Sequence, residues 1–374
     1  MQSGQTPTTH IIGAGPIGLL AAVRASSTGP VVLHVTADLA SRVDANCMQM
    51  QHNACSVEVV PASLLALLCE MGIHPAAVGV EQFYSHRHAA WEQSQVQTVR
   101  TPPVAYVERP ALEQVLMGLV RRLPLVEIRA TPRERLKGMR DGEAGRVFDA
   151  TGRRAVTAAA KHVLRGGPVG RTWACQKVNL TDKDREFRIA ALPDGYVYRL
   201  ATPRRVLLGW CGSRRLVSLS PADWKIYLDD ADAGWVALGP GDAPADAVEW
   251  LPAKAGPTGA QRCDPSSGLT LLGDAAFARD ALCSQGLALG MTDVFYALAV
   301  RGGDEARLWE EHRTGQYIVH LKQLRALTVD CRFRNEPFWH GYRDAIDGEL
   351  AALGQRGPVR QARLNKGRLA THVA

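Results

Sequence analysis

The feature that most constrains this chain lies near its start. Residues 8–14 form a short apolar run ending in glycines, and Gly13-Ala14-Gly15-Pro16-Ile17-Gly18 spells GxGxxG. Residues 16–27 then set Leu19, Leu20 and Val23 on one helical face, Thr28-Gly29-Pro30 makes a turn, and Val31 to Val35 reads as a buried β-branched strand. The result is one β-α-β unit. In such a unit Gly13 permits the tight turn, Gly15 lets the backbone approach a pyrophosphate, and Gly18 lets the helix pack close to the strand. With Pro16 opening the helix, its N-terminus offers free N–H groups and a positive dipole to phosphates. The pattern therefore predicts a dinucleotide site on Gly13, Gly15, Pro16 and Gly18.

The adenosine end is less regular. An acidic residue about 20 positions on usually binds the ribose hydroxyls. Here the stretch is His34-Val35-Thr36-Ala37-Asp38, and by spacing Thr36 takes the acidic position. Thr36, Asp38 or Arg42 from a neighbouring loop are the candidates.

Beyond this unit the periodicity predicts helices over 61–73 and 110–122, with Pro110 in a first turn. Between 187 and 209, three strand-like runs separated by Pro193-Asp194-Gly195 and Thr202-Pro203 predict an antiparallel meander, hence a second sheet. From Gly303 onward the pattern is helical and charged. The 374 residues, 46% hydrophobic, suffice for a large core, and 22% charged residues fit an ordered globular chain.

Eight cysteines at 47, 55, 69, 175, 211, 263, 283 and 331 form no CxxC pair, so no metal site is expected. The first ten residues lack the charged and apolar regions of an export signal, and no apolar run approaches the ~20 residues of a membrane span. A cytoplasmic protein with reduced thiols, independent of membranes, is expected. Part of the +7 net charge sits between Gly354 and Ala374, where Arg356, Arg360, Arg363, Lys366 and Arg368 occur without acids. A solvated tail or an acidic partner accounts for it; without interleaved aromatics, nucleic acid is not expected.

Three further segments carry a resemblance. Residues 270–290, T-L-L-G-D-A-A-F-A-R-D-A-L-C-S-Q-G-L-A-L-G, form a strand, a Gly273-Asp274 pair, a loop and a helix. Val147-Phe148-Asp149-Ala150-Thr151-Gly152-Arg153 contains D-A-T-G-R, and Val107-Glu108-Arg109-Pro110 precedes a helix as D-R-x-x-[FL] does. Glu58-Val59-Val60-Pro61 matches an E-S-x-P stretch. In order, these resemble the flavoprotein monooxygenases and flavin-dependent halogenases, closest to the branch that matures tryptophylquinone cofactors by hydroxylating a peptide-borne tryptophan. The Phe338-Trp339 pair also resembles this branch. The halogenases' W-x-W-x-I-P motif is absent. Asp280-Ala281 stands where the family usually has Asp-Pro.

The resemblance implies an α/β fold: a Rossmann-type FAD-binding domain interleaved with an antiparallel-sheet substrate domain, plus a C-terminal helical segment. The implied division is FAD-binding over 1–80, 103–160 and 263–302, substrate domain over 81–102 and 161–262, and the helical region over 303–374. It implies that Asp274 binds the ribityl chain, that the loop from Asp280 through Gln285 to Gly286 passes the isoalloxazine, and that Arg109 sits near the phosphates. The implied activity is FAD-dependent hydroxylation of an indole ring through a flavin C4a-hydroperoxide. NADH or NADPH would be the electron donor, with a flavin reductase as an accessory partner. A ribosomal precursor peptide is the leading aromatic substrate. A small-molecule aromatic hydroxylase, a halogenase or flavin oxidase, and a non-catalytic flavin-binding protein remain as alternatives. No catalytic residue is assigned. Tyr84, His86, His88, Tyr196, Tyr198 and Trp210 could line a pocket, and a structural role is the simpler expectation for each.

Overall fold

The computed structural model describes residues 7–36, 57–139, 145–158, 164, 167–176, 187–201, 205–236, 249–253, 269–283, 285–300 and 303–354. The chain opens with β1 (Thr9–Ile12), α1 (Pro16–Ala25) and β2 (Val31–Val35), where the sequence places its β-α-β unit. It continues with β3 (Val57–Pro61), α2 (Ala62–Glu70), β4 (Phe83–Ala90), β5 (Gln97–Glu108), α3 (Arg109–Arg121), β6 (Val126–Ala130), α4 (Arg133–Gly138) and β7 (Arg146–Asp149). Then come β8 (Val169–Gln176), β9 (Phe187–Leu192), β10 (Gly195–Ala201), β11 (Arg205–Gly212), α5 (Arg214–Ser218), α6 (Pro221–Asp230) and β12 (Glu249–Ala253). The last elements are β13 (Leu269–Leu271), α7 (Gly286–Ala299), α8 (Gly303–Asp330) and α9 (Pro337–Gly354).

Two sheets organise these elements. The first has the order β13-β7-β1-β2-β6, and every pair in it is parallel. Strands β1 and β2 are buried along their whole length, as parallel strands covered on both faces must be. Helix α1 is sheathed by α3 and α7, so its apolar residues are buried nearly all round. The second sheet has the order β12-β8-β11-β10-β9-β4-β5-β3 and is antiparallel except where β4 meets β9. The meander expected between 187 and 209 is β9-β10-β11. The hairpin β4-β5, not foreseen as strands, also joins it; the exposed residues of 97–103 hide the period-two pattern.

The chain crosses between the sheets repeatedly, so the first sheet is assembled from distant segments. Strand β7 enters beside β1 and β13 beside β7. Helices α8 and α9 pack on each other, and Tyr317, Leu321, Trp339, Tyr342 and Ile346 form a shared core with Leu271 and Tyr196. The Phe338-Trp339 pair belongs to this plug: Trp339 is fully buried and its indole N–H donates to the Leu192 carbonyl at 2.7 Å.

A polar chain runs through the first sheet. His10 and His34 are stacked on adjacent strands with Nδ1 and Nε2 2.9 Å apart, and His34 Nδ1 lies 2.9 Å from Thr131 Oγ1. Burial, with the neighbouring His10 and Arg129, pushes His34 down to about 4, and Glu127 offsets this only partly. The unfolded chain therefore takes up a proton near pH 6.5 that the folded chain refuses until about pH 4. Stability should fall through that window by up to about 3 kcal/mol from this residue. His34→Gln should flatten the decline, measured by chemical denaturation between the two pH values; an unchanged acid limb would rule out this origin.

Candidate active-site cleft

A cleft of about 560 Å³ opens along the carboxyl ends of the parallel strands and is walled on its far side by the second sheet. This is where ligands bind in open α/β sheets. The turn after β1 forms one lip. Gly13 adopts φ +104°, and a Cβ there would sit 2.8 Å from the Ala150 carbonyl oxygen. A Cβ on Gly18 would lie 1.9 Å from the Gly13 carbonyl oxygen. Both positions exclude a side chain by contact with main chain. At Gly15 the space is open: the nearest atom to an added Cβ is an Arg109 nitrogen at 3.8 Å. Gly15 caps α1 without a side-chain hydrogen bond, and Pro16 opens the helix. The first-turn amides are therefore free for an anion.

Arg109 reaches over this turn from the start of α3. Its Nε donates to Glu113 at 2.9 Å and its Nη1 to Glu58 at 3.4 Å. Burial disfavours its charge, but Glu58 and Glu113 outweigh burial and hold the guanidinium firmly protonated. Burial pushes Glu58 upward, and Arg109 opposes it.

The D-A-T-G-R segment forms the adjoining wall. Asp149, fully buried, accepts from the amide and hydroxyl of Thr151 at 2.8 and 2.6 Å and from those of Thr157 at 2.8 and 2.7 Å. Four bonds to one carboxylate fold the loop so that Thr151 to Arg154 face the cleft. Arg153 then lies 3.6 Å from Asp274 and donates to the Arg279 carbonyl at 2.9 Å.

Asp280 fixes the loop leading to α7. It accepts from the hydroxyls of Tyr196 at 2.5 Å and Tyr342 at 2.6 Å and from the Leu282 amide at 2.8 Å. Its own amide donates to His320 Nε2 at 3.3 Å. Burial pushes the Asp280 carboxyl up, and its three donors pull it back. Burial pushes the Tyr196 and Tyr342 phenols well up, keeping them protonated as donors. His320 is pushed down to about 3 by burial and then by Arg279, so it is a neutral acceptor.

Of the residues singled out from sequence, Gly13, Gly15, Pro16, Thr36, Arg109, Asp274, Asp280, Gln285 and Gly286 line this one cleft. Gly18 and Gly273 do not; they are packing positions, Gly273 adopting φ +54° against Ile17 and Gly290. Arg42 and Asp38 lie outside the described residues, as does the basic stretch beyond Gly354. Among the aromatic candidates only Tyr198 reaches the cleft. Its ring lies on Gly209, where a Cβ would come within 2.2 Å, and its hydroxyl makes no hydrogen bond among the described residues. Tyr84 stacks on Tyr106, Trp210 stacks on Trp224, and His86 and His88 sit on the β4-β5 hairpin. Sequence reasoning missed Arg133, Arg154 and Arg279 in the lining and Tyr342 behind it. Arg279 lies within the 270–290 segment and Arg154 directly after D-A-T-G-R, but neither motif assigns them a role; Arg133 and Tyr342 come in through tertiary packing alone.

The cleft, the interleaved sheets and the helical plug together have counterparts among solved structures. The chain has the fold of the flavin-dependent halogenases. A flavin-dependent halogenase from Xanthomonas campestris matches with a TM-score of 0.67 at 11% identity, over 92% of this chain and 83% of that one. QhpG, a peptidyl tryptophan dihydroxylase essential for tryptophylquinone cofactor biogenesis, matches with a TM-score of 0.61 at 17% identity, over 90% and 78%. MibH, a lanthipeptide tryptophan 5-halogenase, matches with a TM-score of 0.61 at 14% identity, over 100% and 83%. No family model matches the sequence, and no curated protein matches it. Within this halogenase-type fold, no helix among the described residues is long and apolar enough to cross a membrane. No group of three or more potential metal ligands occurs among them either.

The Asp280 node should be measurable. Tyr342→Phe removes a hydrogen bond to a charged group and should cost about 1.5–3 kcal/mol of unfolding free energy. Asp280→Ala strands two buried hydroxyls and should cost more than either tyrosine change alone. Denaturant titration of Tyr196→Phe, Tyr342→Phe and Asp280→Ala checks the order; a neutral Tyr342→Phe would remove α9 from the site's scaffold.

Proposed function

We propose that this chain is a FAD-dependent monooxygenase that hydroxylates an indole ring, with a tryptophan side chain in a peptide as substrate. The observation that carries the reading is the convergence of the Gly13–Gly18 turn and the Asp274–Gly286 loop on one cleft. The residues present fit FAD. The open approach at Gly15, the uncapped start of α1 and the adjacent Arg109 suit a pyrophosphate. Thr36, at the end of β2, is placed for the adenosine ribose. The partly exposed Asp274 carboxylate is placed for the ribityl hydroxyls. The start of α7 is left for the ring system.

When bound, the flavin would supply the activation of oxygen. The chain's own residues then have three tasks. Arg109 and the α1 amides hold the phosphates, with Glu58 and Glu113 fixing the Arg109 fork. Asp280, braced by Tyr196 and Tyr342, keeps the loop before α7 in one position. Tyr198, Leu200 and Leu207 from the second sheet present an apolar wall that can stack an aromatic ring and exclude water. An electron-rich indole needs orientation more than a general base, in keeping with a cleft whose free phenol, Tyr198, is held protonated by burial. The peptide substrate is supported by QhpG and MibH, two proteins of this fold named for tryptophan in peptides. We further propose NADH or NADPH as the electron source, directly or through a flavin reductase.

Purified protein incubated with FAD and then freed of unbound cofactor by gel filtration should stay yellow, and Arg109→Ala should weaken FAD binding about tenfold, or about 1.4 kcal/mol. With NADH or NADPH, a flavin reductase and oxygen, a tryptophan-containing peptide should gain oxygen on the indole while free tryptophan should not. Mass spectrometry with and without bromide distinguishes hydroxylation from halogenation. A brominated product would replace the hydroxylase reading, and a colourless protein would end the flavin reading altogether.

A further inference from the structure

The apolar wall of the cleft does not stop at the cleft. In a sheet, residues paired on neighbouring strands point to the same face. Leu207 on β11 pairs with Leu200 on β10, and both line the cleft. Phe187 on β9 lies one position beyond the Arg188–Arg199 pair, level with Leu200, and packs in the same apolar cluster. Phe187 pairs with Arg87 on β4, and Arg87 with Val99 on β5. One row of side chains therefore crosses five strands. Exposure rises along it: the two leucines are buried, Phe187 is half-buried, Arg87 is exposed and Val99 is 39% exposed. The row leads from the interior of the cleft to the solvent.

Arg87 is the one charge on this row. The neighbouring row on the same face, Gln97, Ala89, Ile189 and Tyr198, holds none. Arg188 and Arg199 pair with each other on the opposite face. The ribbon's other face already carries the exposed His86–Arg100 pair, so solubility does not call for a cation on the cleft side. Arg87 also lies within electrostatic range of the Cys283 thiol, in the loop between Asp280 and Gly286 that borders the cleft. Its guanidinium is thus tied to the rim of the cleft, and no ion pair holds it among the described residues.

The spacing sets what could use it. Neighbouring strands lie about 4.8 Å apart, so Arg87 stands two spacings, about 10 Å, from Leu200. An extended chain advances about 3.3 Å per residue and covers that distance in about three residues.

We propose that this row is a track for an extended stretch of the peptide substrate, with the tryptophan at Tyr198 and Leu200 and an acidic side chain about three residues away held by Arg87. This rests on the peptide reading above and names the chemistry of the peptide: an acid near the tryptophan, with apolar residues between them over Phe187. The track then sets which tryptophan in a longer chain enters the cleft.

The test uses FAD-loaded protein and short labelled peptides with one tryptophan. Glutamate, glutamine or lysine is placed three residues from it, on either side, and binding is read by fluorescence anisotropy. On one of the two sides the parent should bind the glutamate peptide about fivefold more tightly than the glutamine peptide, a preference that shrinks as salt rises. At about twice the separation the preference should vanish. Arg87→Gln should remove it, and Arg87→Glu should reverse it in favour of lysine. Both variants should melt with the parent, because the position is exposed. Equal binding of glutamate and glutamine peptides by the parent on both sides overturns the inference, and so does a glutamate preference that survives in Arg87→Glu. Either result leaves the hydroxylation of a peptide standing if mass spectrometry still finds the oxygenated product. A parent that takes free tryptophan and no peptide overturns the peptide reading and the track with it. A charge preference that follows Arg87 without any oxygenated product supports the track and counts against the hydroxylase reading.

Discussion

The cleft depends on one close approach of main chains. Strand β1 turns into α1 at Gly13, the helix packs down on that turn at Gly18, and the loop after β7 lies against Gly13 through the Ala150 carbonyl. Each contact is tighter than a Cβ allows, so three segments are fixed relative to one another by the absence of side chains. The four hydrogen bonds to Asp149 then fold the third segment so that Thr151 to Arg154 face the open helix start. The geometry of this lip of the cleft is thus set by backbone packing and one buried carboxylate, before any cation contributes.

The other half of the cleft is held differently, by side chains from three parts of the chain. Tyr196 comes from the second sheet, Tyr342 from the last helix and His320 from α8, and all three meet at Asp280. Helices that look in sequence like a cap on the domain are therefore part of the frame that holds the loop before α7. A carboxylate with three donors and a nearby neutral histidine gives that loop one stable arrangement.

The second sheet gives the cleft its chemical character. Tyr198 stands over Gly209 on the neighbouring strand, a cross-strand pair that leaves room for the ring only because Gly209 has no side chain. With Leu200 and Leu207 it makes an apolar face opposite a cleft rich in arginine. The division suits a ligand that is anionic along one side and planar and apolar along the other.

The sequence by itself determined the β-α-β unit, the meander of β9 to β11, the terminal helices and part of the cleft lining. Each is written in local patterns: glycine spacing, hydrophobic periodicity, turn residues. It also showed through Asp149 and Asp274 that distant segments belong to one site. Only the tertiary structure decided that β4 and β5 are strands, because the exposed residues of 97–103 and the run of consecutive buried residues at 105–107 carry no alternation. Only it separated Tyr198 from Tyr84, Tyr196 and Trp210, since strand register, invisible in composition, sets which face a side chain meets. The pairing of Arg109 with Glu58 and of Arg153 with Asp274 was likewise illegible in sequence, because charges find partners across elements that are neighbours in space and far apart along the chain.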